Sequence, residues 1–278
     1  MATCRTCPHA CELAGGQLGR CRARRARGGE VVSESYGRIT SLALDPIEKK
    51  PIARWRSGST VLSLGSYGCN MRCQFCQNAS IAQAGAGDTT WHETSPEKVV
   101  EMALDLRASD PRCIGIAYTY NEPLICWEFV RDTGALAHES GLVNVLVSNG
   151  MASEEVVAEI APLIDAANID LKCFSEDAYR TLGGDFAAAK RTIEALAAAP
   201  GCHLEVTTLV VPGLSDDAEQ VDAMARWLAS LDPAIPYHLT RFFPCHRMKL
   251  SGPTPAAVLR QLAEVAGQHL ETVILGNI

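Results

Sequence analysis

Three thiols, Cys69, Cys73 and Cys76, lie within eight residues of the stretch GCNMRCQFCQN, and the next cysteine, Cys113, is 37 positions further on. Thiolate sulfur is a soft ligand suited to zinc or to iron–sulfur clusters. A structural zinc normally takes four protein ligands, commonly as two separated pairs. A C-x3-C-x2-C run with no fourth partner nearby fits that poorly. A [4Fe–4S] cluster held by three cysteines leaves one iron without a protein ligand, open to a substrate or cofactor. A second group stands at the N-terminus, CRTCPHAC…GRC, with Cys4, Cys7, Cys11 and Cys21 inside 18 residues and His9 among them. Four local thiolates suit one tetrahedral zinc or a second cluster, and either would tie down a segment too short to build its own core. Only a cluster could relay electrons; the reading leans to zinc. Four unliganded thiols in a polar segment would be open to oxidation.

The other five of the twelve cysteines are scattered. Cys113, Cys126, Cys173 and Cys202 mostly sit beside apolar residues and read as small core hydrophobes. Cys245, in FFPCHRM, is set apart from these. Clustered cysteines of this kind suit a reducing compartment, where metal ligands are commoner than disulfides. The opening MATCRTCPHACELAGG lacks the charged and apolar regions of a signal peptide. No apolar run approaches the ~20 residues needed to cross a bilayer. A cytoplasmic protein without a membrane partner is therefore expected. A net charge of −7 argues against general nucleic-acid binding, which needs a basic surface. The one basic run, RCRARRARGG at 20–29, reads as a solvated connector rather than a binding patch.

The elements that must position these groups alternate along the chain. Strand candidates are 60–66, 113–120, 143–149, 167–172, 203–211 and 236–242, with 272–277 at the end. Helix candidates lie between them, at 96–108, 124–140, 153–164, 186–199, 215–230 and 254–268. The first has Val99, Val100, Met102, Ala103 and Leu106 at helical spacing. Such alternation implies parallel strands joined by right-handed crossovers, and the near-continuous apolar strands suit a sheet covered on both faces. The fold class is thus α/β, a partial (β/α)6 TIM-like barrel preceded by a short cysteine-rich metal-binding segment. The expected division is 1–58 for that segment and its connector and 59–278 for the barrel. Cys69 follows the first strand, and YTYNEP, SNG, DLK, VVPG and RFFP end the next five. Those carboxyl ends form the rim where barrels of this kind carry their sites.

GCNMRCQFCQN resembles the signature of the radical S-adenosylmethionine (SAM) enzymes, with Phe75 at the aromatic position. The stretches DPIEKKPIARWRSGSTVLSLGSYGCNMRCQFCQNASIAQ (45–83), YTYNEP, SNG, DLK, VVPGLSDD, TRFFP and LGN, in that order, are similar to one branch of the superfamily. That branch is the AmmeMemoRadiSam-system radical SAM proteins, relatives of the pyruvate formate-lyase activating enzymes. The N-terminal cysteines share the resemblance.

The resemblance implies a [4Fe–4S] cluster on Cys69, Cys73 and Cys76. Its open iron would chelate the amino and carboxylate groups of SAM, and an electron from the reduced cluster would cleave the sulfonium to a 5′-deoxyadenosyl radical that abstracts hydrogen. It implies an external one-electron donor of flavodoxin or ferredoxin type. Asn121 and Glu122 stand where the family binds the methionyl ammonium, though the family's two glycines are absent and Glu122 transfers better. Ser148 and Asn149 match the methionyl or ribose segment, and Asp170 and Lys172 the carboxylate and ribose segment. Phe75 and the backbone from Val210 to Gly213 are expected against the adenine.

Each assignment has a structural rival. Glu122 could cap the helix after Pro123, Ser148-Asn149-Gly150 could be only a turn, and Asp170 and Lys172 could be an ion pair on one strand face. Members tend to have His after RF, where Phe243 stands here, and Cys245 and His246 follow. These two are the candidate catalytic pair at the substrate end, or ordinary loop residues. The implied substrate is a protein glycine, as in glycyl radical enzyme activation. Radical modification of a peptide or small molecule is the alternative. A non-catalytic metal-binding or electron-transfer protein is the rival from another class.

Overall fold

The computed structural model describes all 278 residues. Eight strands form its main sheet: β1 (Ser41–Pro46), β2 (Thr60–Gly65), β3 (Cys113–Tyr118), β4 (Val143–Ser148), β5 (Ala166–Asp170), β6 (His203–Val210), β7 (Tyr237–Arg241) and β8 (Val273–Gly276). They lie in chain order, each hydrogen-bonded to the next, and β1 and β8 do not pair. From β2 to β8 every pairing is parallel; β1 runs antiparallel to β2. The result is a partial barrel with an open seam.

Six helices cover the outside: α1 (Pro96–Ser109), α2 (Trp127–Glu139), α3 (Glu154–Ile160), α4 (Phe186–Ala198), α5 (Ala218–Leu231) and α6 (Ala256–Ala266). Four start where a loop side chain takes the orphan amide of the first turn. Ser95 accepts from Lys98, Ser153 from Val156, Asp185 from Ala188 and Asp217 from Gln220. Two expected helices are interrupted. The one at 124–140 opens with a 3-10 turn, Pro123–Cys126, and the one at 153–164 gives way to another at Ala161–Leu163, where Pro162 has no amide to continue it. A short helix, Glu176–Thr181, was not foreseen.

Strand residues alternate between two cores. Leu62, Leu64, Ile116, Tyr118 and Leu146 pack outward against the helices. Val61, Ala117, Val145 and Ala166 form a small inner cluster with Ile47 and Ile52. Ile47 and Ile52 therefore anchor their stretch in the barrel's interior, while Glu48 and Lys49 between them stay exposed. The sheet begins at Ser41, inside the expected connector.

The basic run corrects the sequence reading. Arg24–Arg27 pairs with Glu30–Ser33 as an antiparallel hairpin. Arg24 is buried, with Nη2 2.7 Å from Glu128 Oε1, while Arg25, Arg27 and Arg38 converge on Glu34. Acidic partners within the chain make the run neither a free connector nor a binding patch. Cys113, Cys126 and Cys173 are buried, as expected of core thiols. No helix is long and apolar enough to cross a membrane.

Candidate functional site

The loop after β2 carries the three thiols to the carboxyl rim. Its path is set by Gly68, which has φ +89° and lies so close to the head that a Cβ there would meet the Cys21 carbonyl at 2.5 Å. Asn121 holds the same loop: its Oδ1 accepts from Ser66 N at 2.9 Å, and its Nδ2 donates to Tyr67 O and Gly68 O at 3.3 and 3.1 Å. That side chain positions the loop through hydrogen bonds to its backbone.

Cys69, Cys73 and Cys76 pack with Met71, Phe75, Met151, Tyr179 and Phe242. Burial pushes all three thiols up, Cys73 to about 11, so thiolates there require a compensating cation. Lys172 supplies part of one. Burial opposes its charge, but Asp170 and the Cys73 thiolate outweigh that and raise its pKa, and it lowers those of Cys73 and Cys76 in turn. Asp170 and Lys172 are ion-paired, as their structural reading required, yet the pair sits beside the thiols. Nowhere in the chain do three His, Cys, Asp or Glu side chains converge on a position for a single metal ion. Three soft sulfur donors on one buried loop, with Lys172 against them, are nonetheless the kind of donor set that iron–sulfur clusters take.

Glu122 is 2% exposed and lies just past β3. Its Oε1 accepts from Leu124 N at 3.0 Å, so it does cap the 3-10 turn. The carboxylate also accepts from Ser148 Oγ at 2.7 Å and Asn149 N at 2.8 Å. Burial nonetheless raises its pKa to about 7 against those hydrogen bonds, and Asp170 adds to the rise. Ser148, Asn149 and Gly150 form the expected turn, Gly150 at φ +72°. In that turn Asn149 Nδ2 reaches Cys69 Sγ at 3.6 Å and Asn70 Oδ1 at 2.9 Å. Glu122, Ser148, Asn149, Asp170 and Lys172 are thus brought together with the three thiols. The site has a buried anion with no cation against it.

Along the 210–213 stretch the side chains point in opposite directions. Val210 packs in the outer core with the helices, because strand alternation turns it away from the rim; Val211, one residue on, lies with Phe75 and the thiols. Gly213, at φ +75° with open space around it, makes the turn whose amide donates to Asp216 Oδ1. Cys245 lies beside the cluster loop, its Sγ 3.1 Å from Phe75 O, and Arg247 N donates to Gln74 O at 3.0 Å. His246 takes the left-handed backbone, φ 47°. The loop after β7 is therefore docked on the thiol loop.

At the N-terminus, Ala2–Thr3 pairs with Glu12–Leu13, and Cys4 N donates to Cys11 O at 2.9 Å. Cys4 and Cys21 are buried and Cys7 and Cys11 half-buried. His9 Nε2 lies 2.7 Å from Asn70 O, so it is turned toward the thiol loop. Asn70 and Met151 were missed in the sequence, and the Val211 side chain was not singled out from its stretch. Asn70 stood unmarked inside the motif, and only the period-2 alternation could have separated Val211 from Val210.

Residues 64–228 match the family model described as the Radical SAM superfamily. An uncharacterized protein of Methanocaldococcus jannaschii is 34% identical over 283 residues, covering 99% of this chain and 81% of that one. Pyruvate formate-lyase 1-activating enzyme of Escherichia coli is 27% identical over 180 residues, covering 62% of this chain and 71% of its own. Among solved structures, a domain of a pyruvate-formate lyase-activating enzyme from Bacteroides vulgatus aligns with a TM-score of 0.50 at 21% identity. It covers 58% of this chain and 98% of that one, a likeness of fold.

Proposed function

This chain belongs to the radical SAM superfamily, and on that premise we propose that it is an activating-type enzyme that cleaves SAM and abstracts hydrogen from a protein glycine. Membership implies a [4Fe–4S] cluster and SAM, and the thiols of Cys69, Cys73 and Cys76 are the residues that would hold the cluster. When bound, the reduced cluster supplies the electron that cleaves the sulfonium bond of SAM to release a 5′-deoxyadenosyl radical.

The chain's own part is to bind, orient and exclude water. Glu122 carries the reading: a carboxylate buried beside Cys69, hydrogen-bonded three times yet facing no cation, is a receptor for an ammonium group. The methionyl ammonium of SAM supplies that charge. Ser148 and Asn149 fix the carboxylate's two oxygens, and Asp170 anchors Lys172 against the thiols. Phe75 and Val211 offer apolar surface for the adenine. A protein that only stored metal or carried electrons would have no use for a buried, unpaired carboxylate there.

The glycine substrate is supported by the similarity to the enzyme named pyruvate formate-lyase 1-activating enzyme. That activity calls for an external one-electron donor of flavodoxin or ferredoxin type. A second reading, radical modification of a peptide or small molecule, is favoured by Cys245, a thiol held against the cluster loop where it could act on a substrate. Anaerobic reconstitution tests the core of the proposal. The protein should bind iron and sulfide and make 5′-deoxyadenosine from SAM under a strong reductant, and Cys73→Ala should lose both. Full 5′-deoxyadenosine production by Cys73→Ala would sink the central claim.

A further inference from the structure

The two cysteine groups, 48 or more residues apart in sequence, touch in the fold. Four contacts make the junction. Arg72, between two thiols of the rim loop, donates to the Arg20 carbonyl and, through Nη1, to Cys69 O at 2.7 Å. The Cys21 carbonyl packs on Gly68, which only a residue without a Cβ allows. His9 meets Asn70 O at 2.7 Å. Asn70 itself stands in the gap: on one side its side chain is near enough to the Cys7 thiol to lower that thiol's pKa, and on the other its Oδ1 lies 4.0 Å from Cys69 Sγ. One buried side chain therefore separates a thiol of the first group from a thiol of the second.

Placement of this kind distinguishes the two metals that four thiolates could hold. A zinc ion that only ties down the N-terminal segment would serve equally well anywhere on the surface, since it carries no electrons. Cys4, Cys7 and Cys11 lie in the loop that joins the two strands of the hairpin, Cys4 opposite Cys11, and Cys21 in a later turn, with Cys4, Cys7 and Cys21 close enough to raise one another's charge cost. Cys4 and Cys21 face inward and are buried, while Cys7 and Cys11 stay half open to solvent. A group held there has one side against the catalytic loop and the other accessible to a redox partner.

We infer that Cys4, Cys7, Cys11 and Cys21 hold a second iron–sulfur cluster, and that it passes single electrons across Asn70 to the cluster at Cys69, Cys73 and Cys76. The inference rests on the radical SAM reading of the rim site. The electron balance is simple. A one-electron donor of the flavodoxin or ferredoxin class is oxidised once and the head cluster is reduced once. The head cluster then returns to its oxidised state as the rim cluster takes the electron that reductive cleavage of one SAM consumes. The head stores nothing between turnovers.

The decisive experiment removes the rim ligands and counts what remains. The Cys69→Ala/Cys73→Ala/Cys76→Ala variant, reconstituted anaerobically, should retain about four irons and give one low-temperature EPR signal on reduction. One zinc with no iron, or neither metal, would overturn the inference. The unsubstituted protein gives an independent reading: it should hold about eight irons per chain and develop two separable reduced signals. If it holds one four-iron cluster and one zinc, the relay fails and the radical SAM reading stands; if it holds no cluster, that reading fails with it. The transfer step is read in Cys7→Ala/Cys11→Ala. Reduction of the rim cluster by a flavodoxin hydroquinone should slow about tenfold or more, while reduction by dithionite should change less than twofold. Equal slowing with both reductants, or none with flavodoxin, would overturn the relay.

Discussion

Two glutamates lie inside this barrel, one near each end, and both are buried: Glu122 past the end of β3 and Glu205 near the start of β6. Both accept backbone amides. Glu205 accepts from Ala53 N at 3.0 and 3.1 Å and from Arg54 N at 2.8 Å, and it is also met by Nε2 of His203 at 2.9 Å and by Nε2 of His238. Burial would raise its pKa, but those partners outweigh it and bring it down to about 2, whereas Glu122 stands at about 7. Equal burial thus gives opposite titration, and the difference is the partners. Glu205 is complete: it fastens the 53–54 segment across the amino-terminal end, where barrels invest in stability. Glu122 is incomplete, at the end where ligands bind. A buried charge with every partner present marks structure, and one lacking a counter-ion marks a site.

The sharpest way to break this contrast is to delete the complete one. Glu205→Ala leaves two backbone amides and two imidazoles without their acceptor, and should cost about 3–5 kcal/mol in chemical denaturation. The folded fraction should keep its iron content and SAM affinity. Lost affinity at unchanged stability would make the amino-terminal carboxylate functional.

Next in size is the response to pH without SAM. Glu122 holds its proton more tightly folded than unfolded, so its contribution is full below pH 4.5 and is lost as pH rises through about 7. Glu205 runs the other way: its contribution is present above pH 4.5 and is lost as pH falls toward about 2. Each is worth on the order of 3 kcal/mol. Denaturation curves of Glu122→Gln should lose the decline between pH 4.5 and 7, and those of Glu205→Gln should lose part of the acid decline. Identical pH profiles for the two variants would erase the distinction.

Smaller, and specific to the rim, is ligand affinity. Glu122→Gln should weaken SAM binding roughly ten- to a hundredfold, the worth of a charge-assisted contact of about 1.5–3 kcal/mol, with iron content unchanged. Because the ammonium needs the ionised carboxylate, affinity in the unsubstituted protein should fall as pH drops through about 7, and the variant should lose that dependence. Ser148→Ala, which removes one hydrogen bond to the same oxygen, should cost about 1 kcal/mol, a threefold to tenfold loss. If Glu122→Gln lowers only the melting temperature, the residue is a cap and nothing more.

Much of the fold was legible because its chemistry is local. The seven parallel strands are runs of apolar and β-branched residues wanted on both faces, and they begin and end within two residues of their expected bounds. The strand that escaped notice, β1, reverses the usual pattern. Leu42 and Leu44 point outward, 49% and 39% exposed, while Asp45 is buried against Lys50 and Tyr120, so its period could not be read as an edge. The head's arginines looked free for the same reason: Glu34 and Glu128 come from other elements.

What the sequence determined by itself is the covalent order: three thiols at a spacing one loop can close around a cluster, and polar residues at the ends of successive strands. These are short-range facts, fixed by which residues neighbour which along the chain. Only the tertiary structure decided which carboxylate has a cation, that Val211 rather than Val210 turns toward the thiols, and that Asn70 stands between Cys7 and Cys69. Those depend on groups far apart in sequence meeting where water is excluded, and there a single missing partner changes a charge's energy more than any local pattern can show.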